Sequence, residues 1–101
     1  MTRLSLFLPF ALMACDTDPV LALDGDADAG AQTWAAECGL CHGQNAEGTS
    51  RGSGLVGIFE RRTDEEILDV VRFGVATMPA YEERLSDQDL ADLLAWMQQE
   101  L

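Results

Sequence analysis

The chain has 101 residues, of which 18 are acidic and six are basic, and its formal net charge is −12 at pH 7. This length accommodates one small domain, and so acidic a surface disfavours nucleic acid and bare anionic membrane as partners. A basic protein partner would be attracted to this surface, although the same charge also serves simple solubility.

The first residues are typical of an export signal. Arg3 precedes an apolar run that ends at Ala14 and is too short to span a bilayer as a helix. The sequence Leu12-Met13-Ala14-Cys15 resembles the lipobox of bacterial lipoproteins. It predicts a signal peptide at residues 1–14 and attachment of lipid to Cys15.

The lipobox predicts a location in the bacterial cell envelope, on the periplasmic side, with the chain anchored to a membrane by lipid. Asp16 resembles the signal that keeps enterobacterial lipoproteins in the inner membrane, which favours that membrane. An ordinary signal peptide cut after Val20-Leu21-Ala22 is the alternative, and Cys15 would then be incidental. Residues 15–25 lack a helical apolar stripe and are predicted to form a flexible tether, with the folded domain at residues 26–101.

The first predicted helix covers about residues 29–38, after a capping Asp28 or Asp26. Gly30, Trp34 and Cys38 follow one another at intervals of four residues, so they share one face of that helix.

The sequence Cys38-Gly39-Leu40-Cys41-His42 is the attachment signature of a c-type haem. Two thiols at this spacing can each add to one vinyl group of a haem, and the histidine after them can bind the iron. A thioredoxin-like dithiol would need a preceding strand. A zinc site would need four ligands, but His42 is the only histidine and Cys15 the only other cysteine. The motif therefore predicts one covalently bound haem c with its iron.

Two more helices are expected after a glycine-rich loop at residues 43–57. Thr63-Asp64-Glu65-Glu66 is a capping box that opens the second helix, and Gly74 ends it. Its predicted buried side consists of Ile67, Val70 and Val71. Ser86-Asp87-Gln88-Asp89 opens the last helix in the same way, and that helix has an apolar stripe made of Leu90, Leu93, Leu94, Met97 and Leu101.

Met78-Pro79 lies in the predicted loop before the last helix. A thioether is a soft iron ligand, and ligation by His and Met raises the reduction potential of a haem. Pro79 favours an extended conformation at Met78. Met97 falls on an apolar helix stripe, so Met78 is predicted to be the second axial ligand, with a role in the core as the alternative.

With these features, residues from about Asp26 to Leu101 resemble a class I c-type cytochrome of the small bacterial monohaem kind. Beyond the haem motif and Met78-Pro79, the resemblance depends on Gly30, Trp34, Leu93 and Trp96. It implies an all-α cytochrome c fold with three main helices and loops wrapped around one haem. The first and last helices would cross closely at Gly30.

The sequence departs from this family in the loop after the haem motif. The family often has Gly-Pro-x-Leu there, whereas this chain has Gly52-Ser53-Gly54-Leu55. The carbonyl of Ser53 can still accept a hydrogen bond from His42, and we expect it to hold that ring less rigidly than a proline would.

The resemblance implies a one-electron carrier and not an enzyme. Cys38 and Cys41 would attach the haem, and His42 and Met78 would bind the iron. The partners would be redox proteins, such as a respiratory reductase, a terminal oxidase or a periplasmic dehydrogenase. The chain itself would be a monomer or a subunit of a respiratory complex. A haem enzyme or gas sensor with an open iron site is the alternative if Met78 is not a ligand. The candidates for pairing with haem propionates are Arg51, which is the best placed, and Arg61, Arg62 and Arg72.

Overall fold

The computed structural model describes residues 18–101, so the predicted signal peptide and Cys15 lie outside the described residues. Within this range we number four α-helices, and a π-helical turn, Trp34–Cys38, joins the first two into one rod. The helices are α1 (Ala27–Thr33), α2 (Gly39–His42), α3 (Asp64–Phe73) and α4 (Asp87–Glu100). Short 3-10 turns occupy Pro19–Ala22 and Ile58–Glu60. The expected all-α architecture, with three main helical elements, is confirmed.

The helical rod is longer than the prediction of residues 29–38 at both ends. The carboxylate of Asp26, and not that of Asp28, accepts the backbone N–H groups of the first turn. The rod continues through the haem motif to His42, and Gly43, at φ +92°, ends it in a conformation that disfavours side chains.

The rod crosses α4 with backbone almost in contact with backbone. A Cβ atom built on Gly30 would lie 2.0 Å from the carbonyl oxygen of Asp92, so only glycine fits at this point. Trp34, one turn further along the rod, packs against Trp96 of α4 with 4.9 Å between ring centroids. The expected close approach of the first and last helices at Gly30 is confirmed.

Both predicted capping boxes are present. Thr63 and Glu66 exchange side chain to backbone hydrogen bonds at the start of α3, and Ser86 and Asp89 do the same at the start of α4. The predicted buried side of α3 was partly wrong, because Val70 is 40% exposed while its neighbour Leu68 is 2% exposed. The helix is rotated so that Leu68 reaches the core. A short apolar pattern of four residues does not determine this rotation. The predicted stripe of α4 lies in the core, with Leu101 half-buried at its end.

The segment from residue 18 to residue 25, which the sequence assigns to the tether, packs against the domain. Val20 is fully buried, and both terminal guanidinium nitrogens of Arg72 donate to the carboxylate of Asp18 at 2.7 Å. The side-chain amide of Gln88 donates to the carbonyl of Asp24 at 2.9 Å. The folded unit therefore begins by residue 18, because contacts with distant helices hold a segment that has no helical pattern of its own.

The ion pair between Asp18 and Arg72 is largely shielded from solvent, with side-chain exposures of 10% and 15%. The hydrogen bonds from Arg72 lower the pKa of Asp18 below its usual 3.8, although burial opposes them. Replacing Asp18 by Asn should therefore lower the free energy of unfolding by about 2 kcal/mol at neutral pH. The folded-state pKa is depressed, so this difference should be present above about pH 4 and fade as the pH falls through that lowered pKa.

Denaturant unfolding of both proteins between pH 2 and 7 measures this difference. Asp69→Asn is the matched control, since its carboxylate lies 3.7 Å from the same arginine but is 64% exposed. It should change stability by less than about 0.5 kcal/mol. Equal losses in the two variants, or a loss that does not depend on pH, would contradict the assigned role of the pair.

Candidate haem-attachment site

His42 is the last residue of α2, and Trp34 fixes the chain around it. The indole N–H of Trp34 donates to the carbonyl of Gly43 at 3.0 Å, and the Trp34 and His42 ring centroids are 6.1 Å apart. Trp34 is itself buried against α4. The end of the rod is therefore held by a side chain from its middle.

The loop at residues 52–54 orients the His42 ring. Nδ1 of His42 lies 2.8 Å from the carbonyl oxygen of Ser53. A carbonyl can only accept, so Nδ1 carries the proton, and in the neutral ring Nε2 then keeps its lone pair for a metal. Gly52 allows this approach, because a Cβ atom there would lie 2.7 Å from the carbonyl oxygen of Cys41. The hydrogen bond from His42 to the carbonyl at position 53 is therefore formed without the family's proline.

Hydrogen bonds fold the glycine-rich loop back onto the motif. Gly48 N–H donates to the carbonyl of His42 at 2.7 Å, and the hydroxyl of Thr49 donates to the carbonyl of Cys41. Leu55 N–H donates to the carbonyl of Ala46 at 2.9 Å. The two sides of the loop therefore support each other and keep Ser53 beside His42.

Cys38 and Cys41 form no disulfide with any described residue. Cys38 is buried in the π-helical turn, whereas Cys41 is half-buried. Burial, followed by the nearby carboxylate of Glu37, raises the pKa of the Cys38 thiol to about 11. Both sulfurs thus sit on the same helical rod as His42, as attachment of a haem at two points requires.

Met78 ends a tight turn that follows α3. Gly74 ends the helix at φ +77°, and Met78 N–H then donates to the carbonyl of Val75 at 2.8 Å. A Cβ atom on Gly74 would lie 2.6 Å from the carbonyl oxygen of Met78, so glycine is needed here as well. The backbone of Met78 is held by these contacts, and its side chain is half-buried against the core.

Exposed apolar side chains lie on the three segments that contain His42, Ser53 and Met78. Their exposures are between 57% and 67%, which is high for large apolar groups. A haem is a large apolar plate, and its presence beside these segments would cover such surface. We call these residues the apolar rim, and they are Leu40, Val56, Phe73 and Val75. The rim, the two thiols and the free Nε2 of His42 fit a covalently held haem.

The arginines divide into paired and unpaired groups. Arg72 is engaged by Asp18, which removes it from the candidates for a propionate. Among residues 18–101, Arg51, Arg61 and Arg62 form no ion pair. The candidates for pairing with propionates are therefore the three arginines of the loop before α3.

Two residues near the site were not predicted from the sequence. The hydroxyl of Tyr81 donates to the carbonyl of Glu37 at 3.0 Å, and Arg84 donates to the Glu37 carboxylate at 2.8 Å. Their partner lies far back along the chain, in the turn just before Cys38. No local pattern signals such a contact, although Tyr81 follows closely after Met78-Pro79.

Comparison with known proteins shows which family the chain resembles. Residues 25–97 match the family model described as cytochrome c oxidase, cbb3-type, subunit III. A cytochrome c-553-like protein of Synechocystis sp. is 40% identical over 79 residues, covering 77% of this chain and 72% of that protein. Cytochrome c6 of Picosynechococcus sp. is 34% identical over 87 residues, covering 75% and 74%. A solved structure of cytochrome c6 from the diatom Phaeodactylum tricornutum superposes with a TM-score of 0.59 at 29% identity, covering 74% of this chain and 93% of that one.

The loop geometry predicts the effect of restoring proline at position 53. Ser53 does not have a positive φ, and its N–H donates to no described residue, so proline there would remove no hydrogen bond. Ser53→Pro should raise the free energy of unfolding by about 0.4–1 kcal/mol, because the unfolded chain loses freedom. The His42 Nδ1–H should also exchange more slowly with solvent by NMR.

Ser53→Ala serves as the control, since it keeps the carbonyl and adds no ring. It should leave both stability and proton exchange close to those of the parent protein. A Ser53→Pro variant that is less stable, or that exchanges this proton faster, would show that the loop cannot accept the ring.

Proposed function

Because this chain belongs to the class I c-type cytochromes, and therefore carries one covalent haem c, we propose that it is a one-electron carrier held at a membrane by lipid on Cys15. In the proposed site Cys38 and Cys41 attach the haem, and His42 and Met78 bind its iron. When bound, the haem supplies an iron that changes between the ferric and ferrous states.

The observation that best supports this site is the hydrogen bond from His42 Nδ1 to the carbonyl of Ser53, 2.8 Å long. It holds the ring in the tautomer that leaves Nε2 for the iron and makes the ligand more basic. Fixed ligands on both faces suit electron transfer, because little has to move when the charge changes. The apolar rim would exclude water from the same place.

The packing of residues 18–22 supports retention of these residues in the mature protein. Cleavage after Ala22 would remove both the buried Val20 and the ion pair of Asp18 with Arg72. Cleavage before Cys15 keeps them. Three residues extend at most about 10 Å, so a lipid on Cys15 would hold the domain close to the membrane. Within residues 18–101 no helix is long and apolar enough to cross a bilayer.

The acidic charge of the chain favours a basic partner. The first turns of α3 and α4 are acidic, and the mature chain would keep all 18 acidic residues of the sequence. A basic docking face on a redox protein of the periplasm would be attracted to these turns. Attachment to the inner membrane would concentrate the carrier around such partners, whether it acts as a monomer or within a respiratory complex.

Met78→Ala tests the ligand set. The ferric parent protein should show the weak red absorption band of iron bound to a thioether sulfur, and the variant should lose it. The reduction potential should also fall, because the sulfur favours ferrous iron. Spectroscopy and potentiometry of the holoprotein measure both effects.

Met97→Leu is the matched control, because Met97 is a buried residue of α4. This variant should leave the absorption band and the reduction potential unchanged. A high-spin ferric spectrum in the parent protein would contradict ligation by Met78. That outcome would favour an enzyme or gas sensor with an open iron site.

Cys15→Ser tests the anchor separately. In a bacterial host that processes lipoproteins, the parent protein should fractionate with membranes and carry diacylglycerol on its first residue. The variant should lose both properties while keeping its haem, because residues 18–101 are unchanged. Mass spectrometry of the intact protein measures the lipid. A parent protein found in the aqueous fraction without lipid would contradict the anchor and leave the haem site untouched.

A further inference from the structure

We propose that Tyr81, assisted by Arg84, is a positioning residue that ties the Met78 segment to the haem-attachment rod and so keeps Met78 on the iron. This inference rests on the ligand set proposed above. The juxtaposition that supports it is the contact of both residues with Glu37, which directly precedes Cys38.

The first contact is a hydrogen bond between distant parts of the chain. Tyr81 is 7% exposed, and its hydroxyl donates to the backbone carbonyl of Glu37 at 3.0 Å. Glu37 lies in the π-helical turn Trp34–Cys38, and such turns frequently occur at functional sites. A phenolic hydroxyl from the segment after Met78 therefore reaches the backbone that positions the first haem-binding cysteine.

The second contact engages the side chain of the same residue. Arg84 donates to the carboxylate of Glu37 at 2.8 Å, and its guanidinium carbon lies 5.1 Å from the ring centroid of Tyr81. Arg84 thus packs over the tyrosine ring while it pairs with Glu37. The backbone and the side chain of one residue are both bound by the segment that follows Met78.

The other end of this segment is held by α3. Gly74 N–H donates to the carbonyl of Val70 at 2.8 Å, and Tyr81 N–H donates to the carbonyl of Val71 at 3.0 Å. Met78 therefore lies in a short loop whose two ends are fixed to the same helix. The hydroxyl of Tyr81 joins this loop to the haem-attachment rod, so removing it should let Met78 leave the iron more often.

The test is Tyr81→Phe in the mature holoprotein, which removes only the hydroxyl. One hydrogen bond contributes about 1 kcal/mol, which corresponds to about a fivefold change in an equilibrium. Added imidazole, which competes with Met78 for ferric iron, should bind about fivefold more tightly. The amides of Tyr81 and Glu82, which donate to carbonyls of α3, should exchange with solvent about fivefold faster. Arg84→Gln should produce a smaller change of the same sign, because Arg84 is mostly exposed.

Two controls separate positioning from general loss of stability. Thr63→Ala removes the N-cap of α3 and should lower global stability by a similar amount without tightening imidazole binding. Glu83→Gln removes an exposed carboxylate of the same segment that forms no ion pair with a described residue, and it should change neither readout.

Unchanged imidazole binding and unchanged amide exchange in Tyr81→Phe would overturn the inference. Equal tightening in Thr63→Ala would overturn it too, since any loss of stability would then suffice. A parent protein without the sulfur absorption band would instead refute the proposed ligand set. The amide exchange of Tyr81→Phe would still decide whether its hydroxyl ties the segment to the rod.

Discussion

The backbone contact between the first helical rod and α4 is the constraint on which the rest of the structure depends. At Gly30 there is no room for a side chain, since a Cβ atom would lie 2.0 Å from the carbonyl oxygen of Asp92. The carboxylate of the same Asp92 accepts the N–H of Asp26, which caps the rod, at 2.8 Å. Fixing the rod in this way fixes its far end, where Cys38, Cys41 and His42 lie. Trp34 links α4 to this end of the rod directly. Its ring packs on α4, and its indole N–H donates to the carbonyl of Gly43, the residue after His42.

Features whose chemistry is local could be predicted from the sequence, whereas features made by distant contacts could not. The capping boxes and Gly74 each act through neighbouring residues, and each appears where the pattern places it. The packing of residues 18–25 depends on Arg72, and the contact of Tyr81 depends on Glu37; both partners are far away along the chain. The burial of Leu68 in place of Val70 depends on how α3 is rotated against the core, and four residues do not determine that angle.

The two faces of the proposed haem site are built in different ways. On one side the proposed ligand His42 belongs to a continuous helical rod, and the loop at Ser53 adds a hydrogen bond that sets its tautomer. On the other side the proposed ligand Met78 belongs to a short turn, and its position depends on contacts at both ends of the segment. The Met78 side therefore has fewer constraints of its own. A link such as that of Tyr81 with Glu37 has its greatest effect there, because it joins the less constrained side to the rigid one.

Covalent attachment at the end of the rod is the central claim, and peptide mass spectrometry tests it most directly. The protein should be matured in a bacterial host with haem-attachment machinery, extracted with acidified organic solvent, and then cleaved by a protease. The peptide that contains Cys38, Cys41 and His42 should carry the mass of one haem, and no other peptide should carry it. Recovery of that peptide unmodified, with all haem released into the solvent, would contradict attachment through these two cysteines.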